Sequence, residues 1–137
     1  MSGDVRKQKL DSLSRCLQRL QDKTPSSVEM LEKDVDLQDI VTLNLERVVQ
    51  ISVDIATHLI SEKGWTPIPA TMAAAFDVLL QQKLITPELK DRLKKSVGFR
   101  NIAVHEYDKV NWAIVYRILK DHLKDFREFG RIVDSIK

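Results

Sequence analysis

The most constraining feature of the sequence is an apolar stripe with helical spacing that runs from about Val28 to Lys63. The stripe contains Leu37, Ile40, Val41, Leu45, Val48, Val49, Ser52, Ile55, Ala56 and Leu59. Residues spaced in this way lie on one side of an α-helix, and the width of the stripe indicates contact with several neighbours. The stretch therefore predicts a long central helix, with room for a break near Asp34 to Asp36. Gly64 is well placed as its C-cap.

Two further helices are predicted beside the central one. The first contains Leu10, Leu13, Leu17 and Leu20. It ends at the segment 24–27, Thr-Pro-Ser-Ser, which offers a serine N-cap to the central helix. After a connector with Pro67 and Pro69, another helix is predicted from about Ala70 to Lys83.

Two more helices complete the prediction. Thr86 is a good N-cap and Pro87 suits the first helical position, so a fourth helix is expected from Pro87 to about Val104. Asn111 can cap a fifth, whose inner face is formed by Val115, Ile118, Leu119 and Phe126. No segment alternates with the period of a strand, and four Gly and four Pro are too few for a turn-rich β-fold. We predict an all-α bundle of about five helices, forming a single domain over residues 1–137.

Several chemistries are excluded by the residues that are missing. Cys16 is the single cysteine, which rules out an intrachain disulfide and a multi-cysteine zinc site; on the apolar side of the first helix, it is expected to fill the core. The glycines are isolated, so there is no phosphate-binding loop. His58, His105 and His122 lack the helical spacing of metal ligands, and His58 and His122 are interpreted as structural or solvated. We expect no metal and no cofactor.

Hydropathy and charge restrict where the protein is expected to be located and what it is expected to bind. No apolar run approaches the roughly 20 residues that cross a bilayer, and the first residues lack a secretory signal, so we expect a cytoplasmic protein without membrane contact. The net charge is only +2, but Lys83 to Arg100 carries six basic and two acidic residues. This stretch favours either a phosphate-bearing partner or an ordinary solvated helix face.

One segment, Gly98 to Tyr107, concentrates residues that can carry chemistry. It contains Arg100, Asn101 and His105, followed by Tyr107. At about 100° per residue, the Arg and His side chains would lie about 140° apart on an ideal helix. They can share a site only if the helix stops near Val104 or a second chain supplies one of them.

Cleavage of RNA is a reaction that such a set can perform. RNA carries its own nucleophile, the 2′-hydroxyl. The reaction needs a base, an acid and a cation for the charge on phosphorus, and histidine and arginine supply these near neutral pH. One chain offers one suitable His, so a two-fold homodimer is needed to bring two imidazoles and two guanidinium groups into one cleft.

Structural interpretations of the same residues stay open. The dipole of a helix favours Arg and His at its C-terminal end without any catalytic role. Asn101 can hydrogen-bond a phosphate, orient His105 or satisfy the last carbonyls of the helix. Tyr107 can simply pack against the loop. A non-catalytic module that binds a nucleotidyltransferase, nucleotide or RNA is therefore the alternative, and the modest net charge favours it.

The order Arg100, four residues, His105, one residue, Tyr107 resembles the signature of the HEPN superfamily, and more narrowly the HepT toxins of prokaryotic toxin–antitoxin pairs. The resemblance covers much of the chain, namely the stretches 45–50, 54–60, 67–75 and 97–107. The bare Arg-to-His spacing is common by chance, whereas the block with the trailing Tyr in an all-helical chain is more specific.

The resemblance implies an all-helical homodimer with the motif at the subunit interface. It implies metal-independent endoribonuclease activity on tRNA or mRNA, with Arg100 and His105 as the catalytic pair and Asn101 in support. It also implies a partner, an MntA-like nucleotidyltransferase antitoxin that transfers AMP from ATP onto Tyr107. The added charge and bulk would then compete with an RNA phosphate for the cleft.

Overall fold

The computed structural model describes residues 2–136 and is helical, without strands, over that range. Its α-helices are α1 Ser2–Lys23, α2 Val28–Lys33, α3 Val35–Lys63, α4 Ala74–Gln81, α5 Pro87–His105, α6 Trp112–Arg117 and α7 Leu123–Asp134. A 3-10 turn at Tyr107–Lys109 follows α5, and a π-helical segment at Ile118–His122 joins α6 to α7. The predicted all-α class is confirmed.

Helix α3 forms the centre of the bundle and contacts α1, α2, α4, α5 and α7. It buries eight of the ten residues of the predicted stripe, including Leu45, Ile55 and Leu59, each at most 1% exposed, while Leu37 and Ile40 are half-buried. Burial of one such side chain stabilises a fold by about 1.5–3 kcal/mol. The bundle closes where Phe76 of α4 meets Phe129 of α7 edge to face, with ring centroids 5.9 Å apart. These contacts fix the position of α5, which packs against α3, α4 and α7.

The predicted caps Gly64 and Thr86 are confirmed, and the possible break near Asp34 to Asp36 occurs at Asp34. Asp34 leaves the helical conformation and separates α2 from α3, and its carboxylate accepts a hydrogen bond from the Leu37 amide at 3.0 Å. Thr86 Oγ1 accepts from the Leu89 amide at 3.1 Å at the start of α5. Gly64 ends α3 in the left-handed conformation, at φ 66°. A side-chain cap of this kind is typically worth about 1 kcal/mol.

The helix predicted from Ala70 to Lys83 is shorter in the structure, and its predicted ends are wrong. It begins at Ala74, because the amides of Ala75 and Phe76 bond carbonyls three residues back, so the chain before Ala74 forms turns and not an α-helix. It ends at Gln81, because Lys83 has a φ of 60°, which does not fit a right-handed helix.

The predicted fifth helix begins as expected but is not uniform. Asn111 Oδ1 accepts hydrogen bonds from the amides of Ala113 at 3.0 Å and Ile114 at 3.3 Å. The π-helical segment then interrupts the α-helical hydrogen bonding. Of the predicted inner face, three members are buried and Ile118 is half-buried: Val115, Ile118, Leu119 and Phe126. Cys16 is half-buried and packs against the core.

Candidate active site

Helix α5 positions three of the four predicted site residues. Leu89, Leu93 and Val97 bury one face of the helix against the core. The same helix then runs to His105, where the Glu106 amide still bonds the Ile102 carbonyl at 2.7 Å. The expected stop near Val104 therefore comes one residue later, after His105 itself.

Arg100 lies on the half-buried flank of α5. Its Nη1 is 3.8 Å from the Met72 sulfur, in the segment before α4. Its Nε is buried and has no hydrogen-bond partner within the described chain. A guanidinium carries five N–H donors and a thioether is a weak acceptor, so most of the hydrogen-bonding capacity of Arg100 is unused. An anionic group at this position would satisfy it.

His105 and Asn101 are exposed, and the side chain of neither makes a hydrogen bond within residues 2–136. They are one helical turn apart and share a face of α5. His105 and Arg100 lie about 140° apart around the helix axis, because α5 stays helical between them. The expectation that a helix stop would unite them in one chain is therefore wrong. Arg100 and His105 could share a site if the helix ended between them or if a second chain supplied one of them. The first condition is not met, so a shared site needs a second chain.

The outer side of α5 is open. A Cβ placed on Gly98 would meet no atom within 4 Å, although glycine in a helix interior costs about 1 kcal/mol relative to alanine. Ile102 and Val104, nearer the end of the helix, are 42% and 43% exposed. A helix with a mid-helix glycine and exposed aliphatic side chains beside an exposed imidazole has the features of a surface that another backbone can approach closely.

Tyr107 lies in the 3-10 turn after α5 and is anchored at both ends of its side chain. Its hydroxyl donates a hydrogen bond to Asp39 Oδ1 at 2.9 Å, across the chain to α3. Its ring meets Trp112 edge to face, with centroids 6.1 Å apart. The side chain is nevertheless 42% exposed. Tyr107 is thus held in place and accessible at the same time.

Burial raises the pKa of the Tyr107 phenol above its ordinary value, and the hydrogen bond to Asp39 raises it further. The charges of Asp39 and Glu46 act in the same direction, while the hydroxyl of Thr42 has a smaller opposite effect. The sequence reasoning missed Asp39 as a neighbour of this site. Its only signal was the acidic excess between Thr24 and Glu62, which does not reveal a pairing between residues so far apart in the chain.

The other two histidines each contact a carboxylate on the same stretch of helix. His58 Nε2 is 3.3 Å from Glu62 Oε2 on the next turn of α3. His122 Nδ1 is 3.2 Å from Asp125 Oδ2, and Asp125 is buried and also lies 3.0 Å from Arg92 Nε. Within residues 2–136, no three His, Cys, Asp or Glu side chains form a group that could hold a metal ion. None of the described helices is long and apolar enough to span a membrane.

The architecture matches that of solved HEPN toxins. The tri-AMPylated Shewanella oneidensis HEPN toxin, in complex with the MNT antitoxin, superposes with a TM-score of 0.90 at 37% identity. The match covers 97% of this chain and 98% of that chain. The bundle and the end of α5 thus define a HEPN-type helical protein. More narrowly, the chain belongs to the family of the Ribonuclease HepT-like proteins, whose family model matches residues 13–133. The predicted family resemblance is confirmed.

Two relatives match over nearly their whole length. The mRNA nuclease HepT of Shewanella oneidensis is 40% identical over 135 residues, which are 98% of this chain and 98% of that protein. The tRNA nuclease HepT of Aphanizomenon flos-aquae is 27% identical over 131 residues, or 93% of this chain and 86% of that protein.

Proposed function

We propose that this protein is a cytoplasmic endoribonuclease toxin that cleaves RNA without a metal ion and is neutralised by AMP transfer onto Tyr107. The observation that carries the proposal is the end of α5. There an exposed imidazole and a guanidinium with unused donors lie in a chain 40% identical to an mRNA nuclease. The substrate is tRNA or mRNA, the two classes named for the relatives.

The proposed reaction uses the 2′-hydroxyl of RNA as the nucleophile. One His105 takes the 2′ proton, the 2′ oxygen attacks phosphorus, and the bond to the 5′ oxygen breaks. A second His105 donates a proton to that leaving oxygen. Arg100 holds the phosphate through its planar fork and neutralises the charge that develops. Asn101 is in a position to orient the imidazole one turn away. The products end in a 2′,3′-cyclic phosphate and a 5′-hydroxyl.

The active unit is a homodimer in this proposal. Arg100 and His105 of one chain lie on different faces of α5, so a single chain cannot supply the whole site. Two α5 helices that cross near Gly98 on their open faces bring the two His105 imidazoles to a common cleft. The open space around Gly98 supports this arrangement, because a glycine lets two helix backbones approach closely.

The proposed regulator is an MntA-like nucleotidyltransferase antitoxin. A related toxin has been crystallised in tri-AMPylated form with such a partner, which supports AMP transfer here. Tyr107 is the proposed acceptor because its phenol is exposed and lies two residues from His105. An AMP group at this place adds negative charge and bulk beside the imidazole, and both oppose the binding of an RNA phosphate.

The test is cleavage of end-labelled RNA by purified chain that mass spectrometry shows to be free of AMP. Cleavage should persist in EDTA, fall by at least about 10²-fold in His105→Ala, which removes both proton-transfer groups, and fall by about 10²–10³-fold in Arg100→Ala. The control is Arg19→Ala, which removes an exposed cation from α1 and should leave the rate unchanged. Intact RNA with the unmodified wild-type dimer would refute the enzyme proposal and favour a non-catalytic binding module.

A further inference from the structure

The hydroxyl of Tyr107 is bonded to a carboxylate before any partner arrives. Asp39 Oδ1 lies 2.9 Å from the phenolic oxygen, within the 2.6–3.2 Å range for direct proton transfer. The contact joins the turn after α5 to α3, and the ring of Trp112 fixes the orientation of the phenol. Asp39 is exposed, so the pair can be approached from solvent. A nucleophile beside a base, oriented by a third group, is the arrangement that activates hydroxyl groups in catalysis.

We propose that Asp39 is the general base that takes the proton of Tyr107 during AMP transfer, so that the toxin itself supplies part of the machinery for its own modification. The inference rests on the proposed function, in which ATP and a nucleotidyltransferase are the co-reactants. The Tyr107 oxygen attacks the α-phosphorus of ATP, the new O–P bond forms, and the bond to the β-phosphate oxygen breaks. Pyrophosphate leaves, and the phenolic proton moves to Asp39.

The other charged groups near Tyr107 are less suited to this role. Glu106 is paired with Lys109, with Nζ and Oε1 3.1 Å apart. Glu46 acts on the phenol through its charge alone. Asp108 lies in the same turn as Tyr107, but its carboxylate makes no hydrogen bond to the Tyr107 hydroxyl among the described residues. Asp39 is thus the carboxylate that touches the reacting oxygen.

The environment of the phenol explains why a base is needed. Burial and the neighbouring carboxylates raise the pKa of Tyr107, so the free phenolate is rarer near neutral pH than for an ordinary tyrosine. The same charges act after transfer. An AMP phosphodiester cannot donate a hydrogen bond to Asp39 and carries a like charge, so the modified side chain is driven away from α3. Asp39 therefore helps the forward step and releases its product.

The main experiment measures AMP transfer from α-labelled ATP by the cognate antitoxin to the full-length chain. Asp39→Asn keeps an oxygen that accepts the hydrogen bond but removes the base, and the transfer rate should fall by on the order of 10²–10⁴-fold. Asp39→Glu should recover part of the loss. The matched control is Asp36→Asn, an exposed carboxylate one turn earlier on α3, which should transfer at the wild-type rate.

The pH profile separates a base from a residue that only positions the ring. The ratio of Asp39→Asn to wild-type rates cancels the pH dependence of the antitoxin. It should rise about tenfold per pH unit between about pH 7 and about pH 9, because hydroxide then removes the proton. The proposal is overturned if Asp39→Asn accepts AMP at the wild-type rate. It is also overturned if the ratio of the two rates does not change with pH. Failure of the wild-type chain to accept AMP would instead overturn the proposed regulation, and this inference with it.

A titration without the antitoxin tests the contact itself. The chain has two tyrosines, so in a Tyr116→Phe background the near-ultraviolet absorbance reports Tyr107 alone. The midpoint of the Tyr107 titration should lie above the ordinary tyrosine pKa of about 10, and it should move to lower pH when the Asp39→Asn substitution is added. An unchanged midpoint in a variant with wild-type circular dichroism means that Asp39 does not bind the phenol, which also overturns the proposal.

Discussion

The proposed cleft between two chains makes a quantitative prediction for mixtures of active and inactive subunits. His105→Ala removes an exposed side chain that makes no hydrogen bond within residues 2–136, so the variant should fold and assemble like wild type. When wild-type and variant chains are unfolded and refolded together at equal amounts, about half of the dimers are mixed and about one quarter are wild type.

The magnitude follows from the helix geometry and the proposed chemistry. A mixed dimer has one His105 where the reaction needs a base and an acid. Loss of one proton-transfer group costs on the order of 10²–10⁴ in rate, or about 2.7–5.4 kcal/mol in the barrier. At equal amounts, mixed dimers then contribute at most about 2% of the total activity. The activity should follow the square of the wild-type fraction: about 25% at equal amounts, and about 1% when one chain in about ten is wild type.

The assay is cleavage of labelled RNA by the refolded mixture, with native mass spectrometry to count the three dimer species. Arg19→Ala serves as the control variant, and activity should not change with its fraction. If activity falls in simple proportion to the wild-type fraction, to about 50% at equal amounts, each chain contains a complete site. That result would refute the argument that Arg100 and His105 must act across the two-fold axis.

Two further predictions concern assembly and stability. Gly98→Leu should leave the helical content of the chain intact, since nothing within 4 Å meets a Cβ there, but should weaken the dimer and its ribonuclease activity. Sedimentation velocity against concentration checks this, and an unchanged dimer would exclude Gly98 from the interface. Asp125→Ala removes a buried carboxylate that contacts Arg92 and His122, and should lower the free energy of unfolding by about 1–3 kcal/mol in urea titration. The exposed Asp121→Ala is its control, and equal losses for the two variants would contradict the role of burial.

Local sequence signals predicted most of the fold because they act within one helical turn. The caps at Thr86 and Asn111 and the left-handed Gly64 all depend on hydrogen bonds to amides or carbonyls only a few residues away. The start of α4 was misplaced because the segment before Ala74 forms turns with bonds three residues apart, which a periodicity argument does not distinguish from an α-helix. The π-helical segment gave no signal, since its apolar residues fit an α-helix as well.

The candidate site was predicted as a set of residues but not as an arrangement. The spacing of Arg100 and His105 showed that the two side chains point in different directions on a helix. It did not show whether the helix would end between them. In the structure the hydrogen bond from the Glu106 amide to the Ile102 carbonyl keeps the chain helical as far as His105. The bond between Tyr107 and Asp39 joins residues 68 positions apart, and only the packing of the turn after α5 against α3 brings them together. Contacts of this kind depend on how distant segments pack in the folded chain, and the local sequence pattern does not predict that packing.

The proposed ribonuclease site needs two chains, whereas the proposed AMP acceptor needs only one, and this difference links the activity to its regulation. Helix geometry keeps the guanidinium and the imidazole of one protomer apart, so the proposed RNA cleavage would require the proposed dimer cleft. Tyr107 does not depend on that cleft for its own environment, because Asp39 and Trp112 of the same chain hold it. The proposed AMP transfer can therefore modify Tyr107 of each protomer separately. The added group would nevertheless lie beside the proposed cleft that both protomers form. One AMP group per dimer is then sufficient to place a negative charge beside the shared site, and inactivation should run ahead of the average extent of modification.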